Sequence, residues 1–156
     1  MKIILLSLGA LFLSFHAFSQ AGMPIVKFLN PLSVTKPNGY AHAVEVDLGN
    51  CRMLIISGQV AIDASGNLVG KDDLAQQTEQ VFKNIKSIID SAGGTMASIV
   101  KLGIYLRDAS QIQYFREVRN RYINIKNPPA STLVEVSGLF RKDLLVEVEA
   151  TAILAK

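Results

Sequence analysis

The chain has 156 residues, of which 49% are hydrophobic and 19% charged, and 16 Lys and Arg against 13 Asp and Glu give a formal net charge of +3. This length corresponds to one domain, and the low charge with ordinary glycine and proline counts argues against a disordered or collagen-like chain. A lone cysteine, Cys51, excludes an intrachain disulfide, and with only two histidines we expect no metal site.

The N-terminus has the pattern of a secretory signal. Lys2 precedes a mostly apolar run over residues 3–18, and Ala17 and Ser19 are the small residues that signal peptidase requires. The run is short for a membrane-spanning helix, which needs about 20 apolar residues. We therefore expect a signal peptide over residues 1–19, and an exported, periplasmic or secreted protein without a stable membrane anchor.

Cleavage after Ser19 would remove one lysine and one histidine, leaving 15 Lys and Arg against 13 Asp and Glu, a net charge of +2. So weak a charge, without basic clusters, is not typical of a nucleic-acid-binding surface, and we expect no nucleic-acid partner. His42 would be the remaining histidine. We interpret it as a strand residue whose ring is satisfied by a neighbour.

Strands are predicted in the first half of the domain. Residues 40–46 alternate in polarity and end in a turn at residues 47–50. Residues 53–56 predict a short apolar strand that Ser57-Gly58-Gln59 interrupts, and residues 60–69 predict a small hairpin.

Residues 72–92 predict an amphipathic helix, because apolar residues recur at intervals of three and four. Asp72 or Asp73 would cap its start, and Gly93-Gly94 would end it. An apolar strand is predicted over residues 99–106.

A second helix is predicted after Asp108, which forms a capping arrangement with Gln111. Its apolar stripe consists of Ile112, Phe115, Val118 and Tyr122. Pro128-Pro129 would end it, because proline lacks a backbone donor and disfavours a helical residue before it.

The chain closes with two alternating strands, residues 132–136 and 145–154. The order of elements predicts an α+β fold, a mixed sheet with two helices packed on one face. The other face carries Ala, Val, Ile and Thr besides charges, so we expect a ring of identical subunits to bury it.

Four segments, taken in order and spacing, resemble the reactive intermediate deaminase (Rid, YjgF) family over a domain of residues 30–156. They are Gly39-Tyr40-Ala41-His42-Ala43-Val44, Ile56-Ser57-Gly58-Gln59-Val60, the helix of residues 77–93 with Ile99-Val100-Lys101-Leu102, and residues 129–136 with residues 146–150. The resemblance implies a chorismate-mutase-like fold and a homotrimer with clefts at the subunit interfaces. It also implies hydrolysis of enamines and imines to a carbonyl compound and ammonia, without a cofactor.

The resemblance also implies roles for single residues. Tyr40 falls on the family's cleft tyrosine, and Ser57 and Gly58 fall on a segment whose backbone contacts the substrate. Glu147 falls on the acidic residue that positions the attacking water, and it is the candidate catalytic residue.

The family's carboxylate-binding arginine does not carry over. Ser131 stands in its place, followed by Thr132, and we take both as candidate substrate-binding positions. A hydroxyl binds a carboxylate less strongly than a guanidinium, so imino acids are expected to bind poorly. Arg116, on the second helix, is the first candidate substitute, ahead of other arginines that include Arg141.

Two functions stay open. The protein hydrolyses small imines or enamines, uncharged ones included, or it binds a small metabolite in the same cleft without turning it over. Ribonuclease or translation inhibitor, labels that some relatives carry, is a distant third.

Overall fold

A computed structural model describes residues 26–156. The strands and helices are, in chain order, β1 (Val26–Leu29), β2 (Ala43–Asp47), β3 (Cys51–Gln59), α1 (Leu74–Ser91), β4 (Ile99–Leu106), α2 (Ile112–Arg119), β5 (Ala130–Glu135) and β6 (Val146–Ala155). The signal peptide predicted over residues 1–19 lies outside the described residues.

One six-stranded sheet has the order β1-β2-β3-β6-β4-β5, in which β4 and β5 are parallel and all other neighbours are antiparallel. Along β6, alternate residues from Val146 to Ala152 are buried beneath the helices, while Glu147 and Glu149 point to the uncovered face, called the open face below. The predicted α+β fold, a mixed sheet with two helices on one face, is confirmed.

Helix α1 begins and ends close to its predicted bounds, because the residues that start and end it lie directly beside it in the sequence. The Asp73 side chain accepts a hydrogen bond from the backbone N–H of Gln76 at 2.9 Å, and Gly93 adopts a φ of +76° beyond the last turn. The apolar stripe of α1 is fully buried, and it consists of Val81, Phe82, Ile85, Ile88 and Ile89. Phe82 also contacts Phe115 of α2, so the two helices and the sheet share one core.

Two strand predictions are corrected by the structure, and one strand was missed. The strand predicted from Tyr40 begins at Ala43, because Gly39 turns the chain with a φ of +79° and the His42 N–H bonds to the Asn30 side chain at 2.9 Å. Strand β3 does not stop at Ile56 but continues to Gln59 with a register shift between them. Strand β1 was not predicted at all.

Among residues 26–156, neither helix combines the length and apolar character needed to cross a bilayer. The same residues contain no cluster of three or more His, Cys, Asp or Glu side chains arranged for a metal ion.

Candidate functional site

A cleft of about 640 Å³ opens where β3 ends and β6 begins, since these antiparallel neighbours place Gln59 opposite Val148. It brings together four residues that sequence analysis selected: Tyr40, Ser57, Gly58 and Glu147. The other lining residues come from loops, and they are Thr35, Lys36, Asn38, Val60, Ile62, Gly66, Phe140 and Arg141.

Glu147 lies directly across Gly58 of the neighbouring strand. A Cβ atom on Gly58 would stand only 1.9 Å from Glu147 Oε1 and 2.8 Å from its Cδ. The carboxylate therefore occupies space that is free because residue 58 has no side chain. Glu149 lies across Gly103 of β4 in the same way, since a Cβ atom on Gly103 would stand 2.5 Å from Glu149 Oε1.

The carboxylate of Glu147 is half-buried and, among residues 26–156, has neither an ion-pair partner nor a hydrogen-bond donor. Burial, and then the negative charge of Glu149, raise its pKa above the ordinary value of a glutamate. Burial and the charge of Glu147 also raise the pKa of Tyr40. An unpaired carboxyl group with a raised pKa in a cleft is typical of a group that exchanges protons with a ligand.

The Ser57-Gly58 segment is held by a buried polar pair, His42 and Gln59. Gln59 Nε2 donates to the carbonyl of Ser57 at 3.0 Å and lies 3.3 Å from His42 Nδ1. His42 Nε2 lies 2.6 Å from the carbonyl oxygen of Thr35, which lines the cleft. Because Nε2 faces an acceptor and Nδ1 a donor, the neutral ring protonated on Nε2 satisfies both contacts. His42 thus connects two walls of the cleft.

Helix α1 fixes a third wall through Asn84, a polar residue within its buried face. Asn84 Nδ2 donates to the carbonyl oxygens of Val60 and Ile62, at 3.0 and 2.9 Å. Sequence analysis did not identify Asn84, although a buried-face position occupied by an amide is a recognisable signal for a backbone contact.

Gln77, two helical turns before Asn84 and on the same face of α1, fixes the loop before β6. Its Nε2 donates to the carbonyl oxygen of Asp143 at 2.8 Å, and its Oε1 accepts from the N–H of Leu145 at 2.8 Å. The side chain is fully buried. Both polar ends are therefore paired, and the loop backbone is held against α1. Sequence analysis did not identify this role either.

The same loop brings Phe140 and Arg141 into the cleft. Arg141 Nε donates to Asp143 Oδ1 at 3.0 Å, and Nη2 to Oδ2 at 2.5 Å. The Arg141 guanidinium lowers the pKa of Asp143. Arg116, the first candidate substitute, is an exposed residue of α2 and does not line this cleft.

The two remaining candidates, Ser131 and Thr132, lie on the edge strand β5. Ser131 pairs with Leu102, which is buried beneath the helices, so Ser131 is on the helix-covered side and Glu147 on the open face. Thr132 lines a separate hollow of about 260 Å³, where its Oγ1 accepts from Lys101 Nζ at 2.9 Å. A single chain does not bring either residue to Glu147, and their predicted contact with substrate requires a second copy.

The chain is similar in sequence to proteins of a known family. A family model described as Endoribonuclease L-PSP matches residues 33–154. A RutC family protein of Pyrococcus abyssi is 38% identical over 118 residues, which cover 75% of this chain and 88% of the relative. The corresponding protein of Pyrococcus horikoshii is 39% identical over 118 residues, covering 75% and 89%.

The chain is also similar to solved structures of Rid-family proteins. The Rid-family protein YyfA of Yersinia pestis is 31% identical with a TM-score of 0.73, covering 82% of this chain and 98% of its own. RidA of an Antarctic Psychrobacter is 30% identical with a TM-score of 0.72, covering 82% and 99%. The sheet, the two helices and their order are those of the L-PSP and YjgF fold class. The chain belongs to the Rid (YjgF) family.

Proposed function

We propose that this protein hydrolyses small imines and enamines to a carbonyl compound and ammonia in the cleft formed by Tyr40, Ser57, Gly58 and Glu147. The observation that carries the proposal is the unpaired, half-buried carboxylate of Glu147 lying across Gly58 in this cleft. A cleft of about 640 Å³ suits a small ligand, since ligand pockets commonly enclose roughly 300–1,000 Å³. Membership of the Rid family supports the same class of reaction.

In the proposed reaction, ionised Glu147 takes a proton from water while the water oxygen bonds to the carbon of a protonated imine. The electron pair of the C=N double bond moves to nitrogen. Glu147 then returns its proton to that nitrogen, and the C–N bond breaks with its electron pair leaving on ammonia. The hydroxyl oxygen becomes the carbonyl oxygen and releases its proton to solvent.

An enamine must first accept a proton on carbon, and neutral Glu147 is the proposed donor. Its raised pKa favours this step because it increases the protonated fraction of the carboxyl group near neutral pH. The Tyr40 hydroxyl and the backbone of Ser57-Gly58 would orient the nitrogen, since they line the cleft beside Glu147.

The test measures the rate at which purified protein converts imines, generated in situ by an amino-acid oxidase, to carbonyl compounds above the spontaneous rate. Glu147→Gln is expected to reduce this excess rate by about 100-fold or more, the usual contribution of general acid–base catalysis. Glu117→Gln is the matched control, because Glu117 is an exposed residue of α2. Equal rates for Glu147→Gln and the unsubstituted protein would refute the proposal.

A second candidate is binding without turnover, and the observation that favours it is Ser131 at the position where the family resemblance leads us to expect a carboxylate-binding arginine. A small ligand that copurifies in the cleft of a protein that accelerates no imine hydrolysis would favour this candidate. The family description names an endoribonuclease. RNA cleavage that persists through stringent purification would favour that activity instead.

We further propose that the protein is an exported homotrimer. The pattern of residues 1–19 supports export, and mass spectrometry of the exported protein is expected to find Gln20 at its N-terminus. Apolar residues exposed on the open face support assembly, among them Ile55, Val134 and Ile153. Light scattering is expected to give three times the mass of the processed chain, and a monomer would contradict this proposal.

A further inference from the structure

We propose that Arg141 binds the carboxylate of an apolar 2-imino acid, and so supplies the positive charge that is missing at Ser131. The inference rests on the proposed function for the identity of the reaction, but the binding role of Arg141 can be tested without turnover. It reverses the sequence-based expectation that carboxylate-bearing substrates bind poorly.

Arg141 lines the same cleft as Tyr40 and Glu147, whereas Ser131 of the same chain lies on the other side of the sheet. The cleft therefore has a guanidinium in its lining, together with its candidate catalytic group, without a contribution from β5. Lys36, a second exposed cation, lines the same cleft. The residues that line the cleft thus carry two cations, Lys36 and Arg141, against one carboxylate, Glu147, and this excess of positive charge favours an anionic ligand.

The guanidinium of Arg141 is already oriented. Asp143 holds Nε and Nη2 through two hydrogen bonds, and Nη1 has no hydrogen-bond partner among residues 26–156. The side chain is 39% exposed, so the outer edge of the guanidinium can be reached by a ligand. A planar donor fixed on one edge and open on the other suits a carboxylate, which accepts two parallel N–H bonds.

The loop that carries Arg141 is held on both sides of Asp143. Gln77 pairs with the backbone of Asp143 and Leu145, and Arg107 Nη1 donates to the carbonyl of Lys142 at 2.6 Å. These contacts fix the loop backbone before any ligand arrives. Binding then costs less conformational entropy than it would on an unanchored loop.

The apolar part of the proposed substrate follows from the apolar residues that line the same cleft as Arg141. Phe140 is 73% exposed and lines the cleft, as do Val60 and Ile62. An amino-acid-derived imine with an aliphatic side chain would cover these surfaces while its carboxylate contacts Arg141.

The test uses equilibrium binding of 4-methyl-2-oxopentanoate, the 2-oxo acid that such an imine would yield, and of its uncharged methyl ester. Arg141→Gln is expected to weaken binding of the acid by about 10- to 100-fold and to leave ester binding within about 2-fold, because only the acid forms a charge-assisted pair. Arg141→Lys is expected to lose about 3- to 10-fold, since it keeps the charge without the planar fork. Arg116→Gln is the matched control and is expected to bind the acid like the unsubstituted protein.

The outcomes separate this inference from the proposed function. Arg141-dependent binding of the acid by a protein that hydrolyses no imine would support the inference and refute the proposed function. Imine hydrolysis with equal affinity for the acid in Arg141→Gln and the unsubstituted protein would support the proposed function and overturn the inference. Equal losses for acid and ester in Arg141→Gln, or a comparable loss in Arg116→Gln, would also overturn it.

Discussion

Replacing Gly58 with alanine should move the Glu147 carboxylate without touching Glu147 itself. The added methyl group would stand 1.9 Å from Oε1, 2.8 Å from Cδ and 3.0 Å from Cγ of Glu147. Since non-bonded carbon and oxygen atoms approach to about 3.5 Å, the carboxylate must shift by about 1.5 Å. Gly58 does not have a positive φ, so alanine adds no backbone strain.

A displacement of about 1 Å from a reactive geometry can reduce a rate by about 100-fold, and we expect at least this loss in kcat for imine hydrolysis by Gly58→Ala. The cost in stability is expected to be smaller, about 1–2 kcal/mol, because the colliding atoms are at the end of a half-buried, flexible side chain. Initial rates and urea unfolding measure the two effects separately.

Two controls identify the collision as the cause. Gly138→Ala introduces the same methyl group where nothing lies within 4 Å, and it is expected to leave rate and stability unchanged. In a Glu147→Ala background the collision is absent, so adding Gly58→Ala should cost no further stability. A Gly58→Ala protein with an unchanged kcat, or a stability loss that persists without Glu147, would refute the reasoning.

Three further predictions concern charge and buried hydrogen bonds. Glu149→Gln removes a like charge that raises the pKa of Glu147, so the acidic limb of the rate–pH profile should move to lower pH, and an unmoved limb would contradict this. Glu147→Gln should raise the free energy of unfolding at neutral pH. Because the pKa of Glu147 is raised in the folded state, ionisation of this group disfavours the folded state as pH rises. The gain should vanish in acid, where Glu147 is protonated in both the folded and the unfolded state. Gln77→Leu leaves two part-buried backbone groups, the Leu145 N–H and the Asp143 carbonyl, without partners, and should cost about 2–4 kcal/mol in urea unfolding. A loss below about 1 kcal/mol would show that the contacts are dispensable.

The helices and the faces of the strands could be predicted because their signals are local. The stripe of α1, its Asp73 cap and its Gly93 end lie within one stretch of sequence, and the alternation along β6 separates buried residues from Glu147 without reference to any other strand. Burial of an apolar face and capping of a helix end depend on neighbours a few residues away.

The contacts that hold the loops around the cleft were missed because they join segments that are distant in the sequence. Gln77 and Asn84 stand at core-facing positions of α1, which the spacing of its apolar residues could have indicated, but only the packed structure shows which loop backbone each of them contacts. Arg141 was one arginine among several in the sequence. Its position in the cleft follows from the way α1 and Arg107 hold its loop.

The sequence by itself determined the α+β class, the family and four of the residues that line the cleft, since these depend on local periodicity and on motifs in a fixed order. Only the tertiary structure decided that β3 and β6 are neighbours and that Glu147 therefore lies across Gly58. It also placed Ser131 on the helix-covered side and Arg141 in the cleft. The physical reason is that strand order and register are set by packing across the whole sheet, and a shift of one residue exchanges the faces of a strand.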